Sequence, residues 1–234
     1  ECNKDNAFEI AKEAALELKN SERGLPDVIL FHPTPGFEET ILEGLESIFE
    51  SKIPIYGGSA ADNDISGNWI IFKNQEIVKQ GFLIVGYYTS KFYSSFVSGY
   101  LPTKSKGIVT KVVGRTIYEV NNEPFTSVYQ KWTDGLIDNE LKQNDNSIVL
   151  AKTTMKPIGK VVSSSLSQYI ISHPHIVSPQ EKSISLFTDF KVGDEITLMF
   201  GSEVALLKRV EQTVSKATNN QNVELKGGIL IYCA

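Results

Sequence analysis

Between residues 28 and 57 a short apolar run, a helix-patterned segment and a second short apolar run follow one another, and few folds accommodate that order. Residues 28–31 read Val-Ile-Leu-Phe, fully apolar and rich in strand formers, as expected of a strand buried on both faces. Phe37, Ile41, Leu45, Ile48 and Phe49 then recur at helical spacing. Residues 53–56, Ile-Pro-Ile-Tyr, form the next strand-sized run and end in Gly57-Gly58-Ser59. With joints this short, strand–helix–strand implies two parallel strands joined by a right-handed crossover. Thr34 is expected to cap the helix, with Pro35 at its first position and Glu38 and Glu39 in the positive first turn.

Around this unit the period changes. Residues 7–18 repeat Ala and Leu at helical spacing, whereas 69–72, 76–78 and 82–88 are extended runs parted by turn residues, which predicts hairpins. Further strands fit 92–97, 108–113, 148–151, 161–163, 168–171, 183–187 and 196–200, and a helix fits 124–132. Residues 138–147 are polar and read as a mobile loop. Ser202 caps a last helix predicted to turn Val204, Leu207, Val210 and Val214 inward, and 228–232 closes the chain as a buried strand. The Gly/Pro/Lys/Ser stretch 99–106 is the best internal boundary, giving regions 1–106 and 107–234. The expected fold class is α/β (α+β): two subdomains with mixed, largely antiparallel sheets flanked by helices, the first led by the parallel β-α-β unit.

Composition narrows function by exclusion. The 234 residues carry 23 basic and 28 acidic side chains, a net charge of −5, so a nucleic-acid partner is not expected. No apolar run approaches the ~18 residues of a membrane span, so no membrane insertion is expected. The two cysteines, Cys2 and Cys233, cannot form a disulfide framework, which fits a reducing, cytoplasmic compartment. The chain opens at Glu1 without Met, carries no signal peptide, and reads as a fragment truncated at both ends.

Catalytic motifs are sparse. There is no G-x-S-x-G elbow, no phosphate-binding P-loop and no dinucleotide fingerprint, so no enzyme, no cofactor and no catalytic residue is expected. His173 and His175 lie two apart on a strand, but further metal ligands are lacking, so they are expected to sit against aromatic rings and to hold no metal. The informative stretch is 56–62, Tyr-Gly-Gly-Ser-Ala-Ala-Asp, directly after the second parallel strand. Small molecules bind beyond the carboxyl ends of strands in open α/β sheets. Gly57 and Gly58 there are expected to allow positive φ and to leave amides uncovered for an anion, with Ser59 beside them and Asp62 facing an amine. His32 and Thr34 end the neighbouring strand and border the same crevice, and Trp69 supplies an apolar wall.

Taken in order, these segments resemble the FIST domain, named for F-box and intracellular signal transduction proteins. The resemblance runs through the Ala-rich first helix, residues 28–31, and Ile53-Pro54-Ile55-Tyr56-Gly57-Gly58-Ser59-Ala60-Ala61, which is similar to the family's P-x-x-G-G-S-A-A segment. It continues through 81–85, 109–114 and 117–124, and a FIST C-like half follows in 157–159, 168–171, 192–199 and 228–234. The resemblance implies a sensory domain that works beside kinase, chemoreceptor, cyclic-dinucleotide or F-box modules and binds a small ligand, an amino acid being the usual suggestion. Two departures stand out: Ser172 occupies a position where the family often has Arg, and the family continues past Cys233. The expected ligand-binding set is Gly57, Gly58, Ser59, Asp62, His32, Thr34, Trp69 and Cys233. The expected function is sensing of a small polar ligand and relay to an output domain or partner protein. The alternative is a protein-interaction scaffold without a small ligand.

Overall fold

The strand–helix–strand arrangement frames the first of two units into which the chain divides, Glu1–Tyr93 with Val223–Ala234, and Ser94–Asn222. The computed structural model describes residues 2–50, 52–62, 66–89, 91–163, 168–219, 221 and 223–231.

In the first unit, helix α1 (Ala7–Lys19) buries Ala7, Ala11 and Ala15 on one stripe. Strand β1 (Val28–Pro33) follows, then helix α2 (Glu38–Phe49) and strand β2 (Ile55–Gly57). The two helices meet through small residues: a Cβ on Gly44 of α2 would lie 2.7 Å from Ala11 Cβ and 2.5 Å from the Phe8 carbonyl oxygen. A glycine inside a helix costs about 0.5–1 kcal/mol relative to alanine, and here that cost is offset by close helix contact. Ile41, Leu45 and Phe49 of α2 join Ile29, Phe31, Phe37 and Ile53 in one core. After β3 (Ile71–Lys73) and β4 (Glu76–Val78), which form a separate hairpin, β5 (Phe82–Tyr87) completes a three-stranded sheet in the order β2-β1-β5. The β1–β2 pair is parallel and β1–β5 antiparallel. The central strand β1 is buried on both faces, as its unbroken apolar run predicts.

The second unit is a nine-stranded sheet with helices. Its elements are β6 (Tyr100–Val113), β7 (Thr116–Val120), β8 (Glu123–Pro124), α3 (Phe125–Trp132), α4 (Asp138–Leu141), β9 (Ser147–Ile148) and α5 (Leu150–Thr153). There follow β10 (Ile158–Ser163), β11 (Gln168–Ser172), β12 (Ile176–Ser178), β13 (Ser183–Ser185), β14 (Glu195–Gly201) and α6 (Glu203–Ala217). The strand order is β11-β10-β14-β6-β7-β13-β12-β9, with β8 on β7. Val109, Ile117, Phe125, Tyr129, Ile158, Ile184, Ile196 and Leu198 lie at the heart of its core.

Several expectations need correction. The stretch 99–106 is largely strand: the first half of the 14-residue β6 pairs with β14 and the second half with β7. Residues 92–97 form no strand: Phe92 and Phe96 stand exposed, and the Phe92 ring meets Tyr56 of β2 at 5.5 Å between centroids without joining the sheet. The polar stretch 138–147 contains α4, held in place because Glu140, nearly buried, meets Lys152 at 2.5 Å. Ser202 does cap α6, its hydroxyl accepting from the Ala205 N–H at 3.2 Å. The helix nevertheless presents the opposite side to the unit: Val204, Leu207, Val210 and Val214 are exposed, while Ala205, Leu206, Arg209 and Thr213 are half-buried. Periodicity shows that a helix has an apolar stripe, not which stripe finds a neighbour. Residues 228–231 are irregular and exposed rather than a buried strand, since an apolar run becomes a strand only where an edge is available to pair with it.

Candidate functional site

The carboxyl ends of β1 and β2 lie side by side, with Phe31 opposite Gly57. A Cβ on Gly57 would stand 1.7 Å from the Phe31 carbonyl oxygen, so the two backbones meet too closely for any side chain. Neither Gly57 nor Gly58 has a positive φ. These glycines answer a need for space, not for the left-handed backbone expected from the sequence. The Gly58 N–H donates to Phe31 O at 3.2 Å and the Ala60 N–H to Pro33 O at 2.8 Å. The loop therefore prolongs the parallel ladder, and these two amides are committed to β1 instead of being uncovered for an anion.

The anion position at the start of α2 is filled by the chain itself. Glu38 Oε2 accepts from the Gly36 N–H at 3.0 Å, and Glu38 Oε1 accepts from Ser59 Oγ at 2.7 Å. The carboxylate sits in the first turn of the helix, where the backbone dipole favours negative charge, and it ties that turn to the glycine loop. Asp62 Oδ2 accepts from the backbone N–H groups of Gly67 (2.7 Å) and Asn68 (2.9 Å) and from Ser66 Oγ (3.3 Å). It closes the loop that leads towards β3. Both carboxylates belong to half-buried positions, so the loop carries two negative charges near its surface.

Thr34 is not a helix cap. Helix α2 begins at Glu38 with Phe37 at the capping position. Thr34 is fully buried, its hydroxyl donates to Gly81 O at 3.1 Å and accepts from the Gly81 N–H at 2.9 Å, and its own N–H donates to Gly81 O at 2.8 Å. A residue before proline is biased towards extended backbone, and Thr34, preceding Pro35, extends β1 into a clasp on the start of β5. His32 is half-buried, opposite Leu83 of β5, on the face of β1 that Val28 and Leu30 share. Trp69 is half-buried two residues ahead of β3. Cys233 lies outside the described residues.

The geometry brings together Gly57, Gly58, Ser59 and, through Ser59, Glu38. Glu38 was read from the sequence only as a favourable first-turn charge, and nothing in the spacing announces that Ser59, twenty-one residues later, reaches it. The Ser59 hydroxyl donates to a carboxylate, and no histidine bonds it among the described residues. No cluster of three or more His, Cys, Asp or Glu able to hold a metal occurs among the described residues. His173 Nε2 lies 3.1 Å from Tyr100 Oη and 3.3 Å from Thr154 O, and His175 stacks on Phe187 at 4.4 Å. Burial pushes both imidazoles below the usual histidine range. No helix among the described residues is long and apolar enough to cross a membrane.

The FIST N domain profile matches residues 1–123 and the FIST C domain profile residues 126–234. The chain belongs to the FIST family, whose members are signal-transduction sensory domains and not a known catalytic family. No curated protein and no solved structure matches the chain significantly.

Proposed function

We propose that this chain is a cytoplasmic sensor that binds a small polar molecule carrying an amino group, an amino acid being the leading class, and that an output domain or partner protein reads the bound state. The ligand site is the loop after β2, with Gly57 and Gly58 as its floor, Ser59 and Asp62 at its rim, and His32 and Trp69 beside it. The observation that carries this reading is the Glu38 carboxylate bound to the Gly36 N–H and the Ser59 hydroxyl. Those donors hold the carboxylate beside the glycine loop, where its negative charge favours an ammonium group, and Asp62 adds a second negative charge. A ligand biases signalling only through different affinities for two states of the protein, so binding must be detectable in the isolated chain.

The test is calorimetry and thermal shift against the twenty amino acids, with matched amines and carboxylates. At least one amine-bearing ligand is expected to bind, and Glu38→Gln is expected to weaken it by about 1.5–3 kcal/mol, the worth of a hydrogen bond to a charged group. Flat titrations throughout, or undiminished binding in Glu38→Gln, would refute the assignment.

A docking role without a small ligand is the second reading. Phe72 and Ile77 face each other across β3–β4 and stand 67% and 65% exposed, an apolar pair of the kind that marks interaction surfaces when part of a larger patch. This reading gains if ligand titrations stay flat and Phe72→Asp abolishes signalling output while leaving the fold intact.

A further inference from the structure

We propose that the bulged face of the second unit's sheet holds a separate site for a small organic carboxylate with an apolar body. The site comes from a break in strand pairing. On β14 and β6, Thr197 pairs with Lys106 and Met199 with Pro102. Between those pairs β14 supplies Leu198 alone, whereas β6 supplies Thr103, Lys104 and Ser105. The pairing of β10 with β11 is irregular as well, between Val161 and Ser163. Bulges of this kind re-aim side chains and interrupt the ladder beside binding sites. Here they border a groove of 530 Å³, within the range of small-molecule pockets.

The chemistry of the groove is one-sided. Thr197 lines it, is 4% exposed, and its hydroxyl has no hydrogen-bond partner among the described residues. The hydroxyl opens onto the groove that Thr197 lines, which makes it a place for a ligand oxygen. Thr103 adds a second hydroxyl to the lining. Lys106 lies 3.8 Å from Glu195, and the two largely cancel. Lys104, also on the groove, has no acidic partner among the described residues, which leaves one net positive charge. Val161, Pro102 and the Tyr169 ring form the apolar side. A carboxylate held at Lys104, Thr103 and Thr197, with its body along Tyr169 and Val161, meets every one of these features.

This proposal does not rest on the loop site of the first unit, and one experiment reads both. Backbone amide NMR spectra of the whole chain are titrated with phenylacetate, with phenethylamine and with sodium sulfate, each to about 10 mM, ten times a weak Kd of about 1 mM. Phenylacetate is expected to move the amides of Thr103, Lys104, Ser105 and Thr197. Phenethylamine, the same body with the opposite charge, leaves them in place. Lys104→Met raises the phenylacetate Kd about tenfold or more, as loss of a charged hydrogen bond does, and Thr197→Val raises it several-fold while the dispersed spectrum of the folded chain is kept. Unmoved groove amides, an equal response to phenethylamine, or an unchanged Kd in Lys104→Met overturns the site. An equal response to sulfate overturns its organic character. Ser59 and Asp62 amides report the loop site in the same spectra: amine-driven shifts there with a silent groove sink this proposal alone, and the reverse sinks only the loop reading.

Discussion

Two adjacent glycines, identical in the sequence, are predicted to respond in opposite ways to the same substitution. In Gly57→Ala the new methyl would sit 1.7 Å from Phe31 O and 2.6 Å from Phe31 C, both backbone atoms of the central strand. Ordinary contact begins near 3.4 Å, so β1 and β2 must part by about 1.7 Å, a shift the ladder cannot absorb. The Gly58 N–H to Phe31 O bond and the Ala60 N–H to Pro33 O bond stretch beyond use, at about 1 kcal/mol each. Overpacking strain adds about 1–3 kcal/mol, for a total of about 3–5 kcal/mol against a typical stability of about 5–15 kcal/mol. In Gly58→Ala the methyl meets only the Ile231 Cγ2 methyl at 2.8 Å, the end of a side chain that can turn away. The loss of chain freedom in the unfolded state offsets that cost by about 0.4–1 kcal/mol, so the net change is expected within about 1 kcal/mol of zero. Trp69 belongs to the first unit and Trp132 to the second, so urea unfolding followed by fluorescence in a Trp132→Phe background isolates the relevant transition. Equal midpoints for the two variants, or a Gly57→Ala midpoint matching the parent, would refute the claim that space and not backbone dihedral fixes Gly57.

Thr34→Val keeps the shape of the clasp but strips the Gly81 N–H of its buried acceptor, and a loss of about 1–3 kcal/mol is expected in the same urea assay. Tyr129→Phe removes the bond from a buried hydroxyl to Lys156 O and is expected to cost about 0.5–1.5 kcal/mol, read on Trp132. Burial holds His173 and His175 below the usual range, against the opposing bonds from Thr154 and Leu186, with Arg115 adding to the depression of His175. Both stay neutral in the fold and gain protons more readily when it opens. Their contribution to the second unit's stability is therefore complete above about pH 6.5 and lost as pH falls from there through the depressed values. A melting temperature that declines across this window in the parent, and less so in His173→Asn, is the expected result; equal slopes would refute it.

Local pattern carried the reading of the first unit further than that of the second. Val28, Ile29, Leu30 and Phe31 announce a buried central strand because a strand covered on both faces has no polar side to show, and the Lys73-Asn74-Gln75 turn announces the β3–β4 hairpin, with Asn74 at φ +56°. The 14-residue β6 was illegible because its first half, Tyr100 to Lys106, owes its extension to β14, which arrives some ninety residues later. The inward face of α6 was misread because Val204, Leu207, Val210 and Val214 form the stronger apolar stripe, yet the unit accepts Leu206 and Thr213. At the loop site, the glycines and Ser59 stood out by composition, but their job depended on how near β1 passes, which no spacing encodes. The groove of the second unit left no mark in the sequence, since a bulge is a property of two strands together.

The clasp between Thr34 and Gly81 has a consequence for how this unit can be rewired. Because Thr34 and Gly81 are fastened to each other by three hydrogen bonds, the segment between them, which carries α2, β2 and the β3–β4 hairpin, starts and ends at one fastened gate. A permuted chain opened at the exposed Asn74–Gln75 turn keeps that gate intact on both sides. New termini at such a tip disturb few buried groups, which makes this turn the natural place to insert a reporter domain.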